Sequence, residues 1–159
     1  MEGLYPSVKY TGPMARYFTL AEAQQSIPKV ESLLRDALAH KAGYQKAQEQ
    51  LDQITERVRI SGGARVNPGQ VLSLRAGRDG SVTALKRVLE EIGELGALVK
   101  DLDIGLIDFM TLYQNREVCL CWKLGEDAIR FWHGAEEGFA GRKPIDDQFV
   151  KQHRGEPAH

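Results

Sequence analysis

Polar and apolar positions divide this chain into two regimes. From Leu20 to Val58 apolar residues return every seven positions, at Ala23, Val30, Ala37, Tyr44, Leu51 and Val58, while Leu20, Ile27 and Leu34 add a second seam over the first half. A seven-residue return keeps one helical face apolar, so the pattern predicts a long helix with a coiled-coil-like stripe. Thr19 and Glu22 have the spacing of a capping box, which places the helix start. Pro28 predicts a kink, because it removes a ladder donor and crowds the carbonyl four residues back. Beyond Lys41 the second seam turns polar at Lys41, Gln48 and Thr55, so the stripe narrows to one partner. The run Ser61-Gly-Gly-Ala-Arg-Val-Asn-Pro-Gly69 reverses the chain. A second helix, starting near Val71 or only after Gly77-Arg-Asp-Gly80, carries Leu85, Leu89, Ile92, Gly96 and Val99 at a spacing that suits antiparallel packing on the first.

From Gly105 to His133 the period falls to two, and strands are expected near 104 to 110, 117 to 124 and 127 to 133. Leu124-Gly-Glu-Asp127 reads as a two-residue hairpin with glycine first. Pairing Leu124 with Asp127 sets Trp122 opposite Ile129, Leu120 opposite Phe131 and Val118 opposite His133. That face is core. The other face pairs Cys121 with Arg130 and Cys119 with Trp132, and Asp108 from the preceding strand joins them. The architecture expected is α+β: a long antiparallel helical hairpin packed with a small antiparallel sheet of about three strands. An N-terminal arm fills residues 1 to 17, one domain residues 18 to 149, and a flexible polar tail residues 150 to 159.

Composition narrows the function more by exclusion than by assignment. Net charge is -1, from 21 basic and 22 acidic residues spread along the chain, which lacks the footprint of a nucleic-acid or anionic-membrane binder. No apolar run approaches the roughly 20 residues of a membrane span, and the N-terminus has no apolar signal core, so a soluble cytoplasmic protein is expected. Cys119 and Cys121 stand at i and i+2, a spacing awkward for a mutual disulfide, and are expected as free thiols.

Six residues are candidates for binding: Asp108, Glu126, Arg130, Trp132, His133 and Arg142. His133 reads either as a core imidazole satisfied by one hydrogen bond or as a ligand or base. Asp108 and Arg130 read as a cross-strand ion pair or as substrate anchors. Glu126 belongs at a solvated hairpin tip, and Glu136 and Glu137 read as a loop charge pair. Cys119, Cys121 and His133 match a metal set in residue type alone. The expected register sends His133 to the opposite face and no fourth ligand has suitable spacing, so no metal is expected. No catalytic motif is recognisable, no cofactor is implied, and catalytic residues are not assignable.

Gly-Leu-Ile-Asp-Phe (105 to 109), Cys-Trp-Lys-Leu-Gly-Glu (121 to 126), Trp-His (132 to 133), Gly-Arg-Lys-Pro-Ile (141 to 145) and the opening Phe18-Thr-Leu-Ala-Glu-Ala23 together resemble the prokaryotic domain of unknown function 2203 family over nearly the whole chain. The chain differs at Met110, where proline often follows the Asp-Phe pair. The resemblance implies a bacterial cytoplasmic protein and transfers no activity, cofactor or catalytic residue. The leading expectation is a non-enzymatic interaction module that self-associates, most simply as a dimer, or meets a protein partner. The alternative is a small-molecule site, anion-binding or enzymatic, where the sheet meets the loop from 134 to 145.

Overall fold

A computed structural model of the chain describes residues 16 to 63 and 65 to 155, so the expected N-terminal arm lies outside the described residues except for Arg16 and Tyr17. The first helix, α1 (Leu20–Ser61), begins at the capping box: Thr19 Oγ1 accepts from Glu22 N at 3.1 Å, and Glu22 Oε1 accepts from Thr19 N at 3.3 Å. Pro28 lies within α1 and does not end it. The second helix, α2 (Pro68–Glu94), starts with proline at its first position and Asn67 as cap, whose Oδ1 accepts from Gly69 N and Gln70 N. Gly77 and Gly80 fall inside α2, which settles its start upstream of both. It ends before Gly96, at φ 88°, where any Cβ would meet the Phe18 ring at 2.9 Å. Val99, expected on this helix, lies instead in the first strand, β1 (Leu98–Asp101).

The fold is α+β: two long packed helices followed by an antiparallel sheet. The chain forms two compact units. One, Ser32–Glu91, is the helical hairpin. Its core holds Leu33, Leu34, Ala37, Ala47, Leu51, Leu85 and Val88. The helices come close at Gly43, where a Cβ would stand 3.1 Å from Ser81 Oγ, and Arg78 Nη1 donates to Gln48 Oε1 across the pair. Burial thins toward the reversal, where Ile54, Val58, Val71 and Leu74 are only half-buried.

The other unit joins the first turns of α1 to everything from Ile92 onward. Its sheet runs β1, β2 (Leu106–Tyr113), β3 (Arg116–Lys123), β4 (Phe131–Gly134), β5 (Lys143–Pro144), and a further strand, β6 (His153–Arg154), pairs with β2. The three expected strands are thus β2, β3 and β4, extended by three short ones. One edge of β2 is covered in sequence by β1, by Phe18 N donating to Met110 O at 2.7 Å, and by β6. Residues 150 to 154, assigned to the tail from sequence, complete the helix α3 (Asp147–Gln152) and form β6. Phe149 of α3 is fully buried and stacks on Trp132 at 5.1 Å, and His153 Nε2 accepts from Leu20 N at the start of α1.

The expected register between β3 and β4 is corrected. No two-residue hairpin forms at Gly125-Glu126. Residues 124 to 130 make an irregular connection in which Glu126 N donates to Lys123 O, Trp122 Nε1 donates to Glu126 O, and Ile129 N donates to Gln24 Oε1. Pairing resumes with Cys121 opposite Phe131, Leu120 opposite Trp132 and Cys119 opposite His133. That is one residue from the expected alignment, and a shift of one residue exchanges the two faces of a strand. Trp132 therefore joins the face of Leu120, Trp122 and Phe109, while His133 joins the face of Asp108, Cys119 and Cys121.

Leu51, 8 % exposed, is expected to cost about 2 to 4 kcal/mol when changed to alanine, whereas the half-buried Val58→Ala should cost less than about 1 kcal/mol. Denaturant melts check the contrast, and equal losses at both positions would contradict the thinning of the hairpin core.

Candidate functional site

The site begins with an acidic residue in the middle of a strand. Asp108 sits on β2 directly opposite Cys121 of β3, and Cys119, two residues before Cys121, pairs with His133 of β4. Period-two alternation on three adjacent strands brings the four side chains to one face of the sheet. Asp108 is 1 % exposed and His133 3 % exposed, and both cysteines are buried free thiols. Asp108 Oδ2 lies 3.0 Å from His133 Nε2, and His133 Nδ1 lies 2.8 Å from Gly134 O. A carbonyl can only accept, so Nδ1 carries a hydrogen. One further proton then lies between Nε2 and Asp108, whether formally on the ring or on the carboxyl. The other carboxylate oxygen, Asp108 Oδ1, is buried without a hydrogen-bond partner among the described residues.

Beside this pair the 134 to 142 segment folds over the same sheet face. Glu137 fastens it, accepting from Gly134 N at 3.0 Å and from Lys143 Nζ at 2.6 Å. These contacts hold its carboxyl below the usual range, with Lys143 the larger cause. Gly141 leaves room for the arrangement, since a Cβ there would stand 2.9 Å from Glu137 Cβ. Between this segment and the strands lies a partly open cavity of about 130 Å³, lined by Asp108, His133, Lys100, Leu106, Glu137 and Phe139 among others. Arg142 has Nη1 2.7 Å from Glu126 Oε1, Nη2 2.8 Å from Glu126 Oε2 and its guanidinium carbon over the rings of Phe131 and Phe139, at 4.3 and 4.8 Å.

The six candidates therefore separate into three groups. Asp108 and His133 meet on the cavity floor. Glu126 and Arg142 form a half-buried bidentate pair, so Glu126 is not a free solvated tip. Arg130 and Trp132 lie elsewhere: Arg130 is exposed and paired with Asp127 at 2.9 Å, not with Asp108, and Trp132 packs with Tyr113 and Phe149 on the opposite face. The cross-strand pairing of Asp108 with Arg130 is thereby corrected to Asp108 with His133. The register puts His133 on the face of Asp108 and Cys121, so of the two grounds for expecting no metal the far-face placement is corrected and the missing fourth protein ligand stands. Among the described residues, Asp108, Cys121 and His133 make the one group of three metal-ligating side chains, their ligand atoms all within 4.8 Å of one another. Cys121 and the cavity wall at Lys100, Leu106 and Phe139 were not among the candidates. The alternation that already set Asp108 beside the cysteines was the one available signal for Cys121.

Chemically, the Asp108–His133 pair can take up or deliver a proton to something in the cavity. Neither thiol has the lowered pKa of a reactive cysteine. Burial, and after it the charge of Asp108, pushes both up to about 12, opposite to the depression a reactive cysteine needs. Unfolded thiols ionise near 8.5, so the folded state is increasingly disfavoured once pH exceeds that value, until the folded thiols also ionise near 12. Stability is expected to be independent of these groups below about pH 8 and to fall between about pH 9 and 12. The Cys119→Ala, Cys121→Ala double variant should lose less over that range. Denaturant melts at pH 7 and pH 10 compare the two, and parallel losses would contradict the thiol burial.

No helix among the described residues is long and apolar enough to cross a membrane. No curated protein and no solved structure matches the chain. The family described as uncharacterized conserved protein matches residues 16–145, which include the capping box, both long helices, β1 to β4 and every residue of the cavity floor. The chain belongs to the DUF2203 family.

Proposed function

We propose that this protein binds a small polar ligand or ion in the cavity above Asp108 and His133. One observation carries the reading: among the described residues, Asp108 Oδ1 is a buried carboxylate oxygen without a hydrogen-bond partner, in a residue that lines a partly open cavity. An unsatisfied buried acceptor costs about 1 to 3 kcal/mol, and more when charged, a cost removed by a ligand that brings a donor or a positive charge. The cavity, about 130 Å³, is well below the roughly 300 Å³ at which drug-sized ligand pockets begin, so nucleotide-sized cofactors do not fit it. A few heavy atoms do. With a proton held between Asp108 and His133, such a ligand would sit against an acid–base group, which leaves room for catalysis without requiring it.

A second reading, self-association, is favoured by the distal end of the hairpin. Ile60 is 73 % exposed and Leu72 65 % exposed, next to the half-buried Val58 and Val71. A second copy of the chain presenting the same residues would cover them in a two-fold dimer.

Two measurements test these readings. Thermal melts of wild type and Asp108→Asn against small amines, small alcohols and divalent cations should find at least one compound that raises the wild-type Tm by several degrees and leaves the variant unmoved. A ligand at a hundred times its Kd contributes about 2.7 kcal/mol, a shift large enough to see. A panel that never distinguishes the two proteins would refute the cavity reading. For the hairpin, light scattering should give twice the chain mass of 17.8 kDa at tens of micromolar, reverting to one chain in Ile60→Lys, Leu72→Lys, and a monomeric wild type would overturn self-association.

A further inference from the structure

We propose that Asp108, Cys121 and His133 form a binding site for a single zinc ion, with the fourth coordination position directed to the cavity. The inference rests on the cavity reading above and names its ligand. The three ligand atoms come from three adjacent strands and already lie within 4.8 Å of one another, with Asp108 Oδ2 and His133 Nε2 at 3.0 Å. Zinc bonds of about 2.0 to 2.1 Å to nitrogen and oxygen and 2.3 Å to sulfur place tetrahedral ligands about 3.3 to 3.7 Å apart, so shifts of about an ångström would close the set.

Three further observations point the same way. First, His133 Nδ1 is committed to Gly134 O, which fixes the ring so that Nε2 faces Asp108 and Cys121. Metal-bound histidines are oriented in this manner by a bond from the other ring nitrogen. Second, Asp108 Oδ1 is nine-tenths buried and more, yet has no hydrogen-bond partner among the described residues. Third, the charges cancel: one carboxylate, one thiolate and a neutral imidazole around a divalent ion sum to zero, the arrangement a buried site tolerates. Arg142 donates to Cys121 O and acts electrostatically on the Cys121 thiol, and its own charge is balanced by Glu126, which engages both of its terminal nitrogens. The other charged groups lining the cavity are Lys100 and Glu137, and Glu137 is held by Lys143.

Binding involves no electron transfer. The metal-free set holds two protons, one between Asp108 and His133 and one on the Cys121 thiol. Entry of the ion releases both and forms bonds to a carboxylate oxygen, Nε2 and Sγ. A mixed nitrogen, oxygen and sulfur set suits zinc, whose filled d shell imposes no competing geometry. Three protein ligands with an open fourth position are the pattern of zinc sites that bind water or substrate, whereas structural sites close all four. Cys119, whose Sγ contacts Met110 Sδ at 3.5 Å, is outside the set.

The full chain, treated with chelator and then loaded with zinc or cobalt(II), provides the test. Zinc should remain at one equivalent per chain after gel filtration. Cobalt should give the intense visible bands of a four-coordinate ion and a near-ultraviolet thiolate charge-transfer band. Cys121→Ser should abolish the charge-transfer band and weaken retention at least tenfold, while Cys119→Ser should keep both the band and the stoichiometry. Wild-type protein that retains no zinc, or a six-coordinate cobalt spectrum without the thiolate band, would overturn the proposal without recourse to any variant. Loss of the band in Cys119→Ser instead of Cys121→Ser would overturn the ligand assignment. If zinc is not held but a small amine or alcohol still stabilises wild type over Asp108→Asn, the metal falls and the cavity reading stands. If neither is bound, both fall.

Discussion

Asp108 lies in the middle of a buried strand, and a carboxyl group there must find a partner or destabilise the fold. An isolated buried charge costs more than the roughly 5 to 15 kcal/mol by which a domain is stable. His133 supplies that partner at 3.0 Å, and much of the local architecture serves the contact. The irregular connection from 124 to 130 sets the register that brings His133 to the same face, and Gly134 O fixes the ring. Glu137, tied to Gly134 N and Lys143, holds the segment that walls the cavity. Removing one member of such a buried pair typically costs about 3 to 5 kcal/mol, because the other is left uncompensated.

The helical half of this fold was legible because helix signals are local. The capping box lies within one turn and the seven-residue seam along one segment, and the structure uses both, whereas α2 starts at Pro68 with Asn67 as its cap, upstream of either start expected from the sequence. The sheet was legible in its period and not in its register. Alternation put Asp108 beside Cys119 and Cys121, but the alignment of β4 depends on whether the loop before it is odd or even. That parity is decided by contacts such as Ile129 N to Gln24 Oε1, whose partner is far away in sequence. A shift of one residue changes the face of His133 and with it the partner expected for Asp108, which is His133 and not Arg130. The burial of Phe149 and the pairing of β6 with β2 escaped for a related reason, since a short polar segment shows its one buried aromatic only once its neighbours are placed.

The arrangement at the floor of the cavity restricts what the protein can do. Its thiols are held neutral by burial and by Asp108, without the lowered pKa of a reactive cysteine. Arg142 nearby is paired with Glu126 through both terminal nitrogens, and Lys100 is the cation that lines the cavity itself. What remains is a carboxyl and imidazole sharing a proton, a thiol beside them, and a small adjoining space. These features suit a ligand that brings positive charge or a hydrogen-bond donor. The hairpin poses a separate question, since its distal apolar residues have no bearing on the chemistry of the sheet.

The account depends on a single buried proton between Asp108 and a ring whose Nδ1 is already protonated. Long-range proton–nitrogen correlation spectra of chelator-treated, nitrogen-15-labelled protein measure this directly at His133. The account predicts a protonated Nδ1 and an Nε2 resonance that moves when Asp108 is changed to asparagine. An unprotonated Nδ1, or an Nε2 resonance indifferent to that substitution, would contradict it.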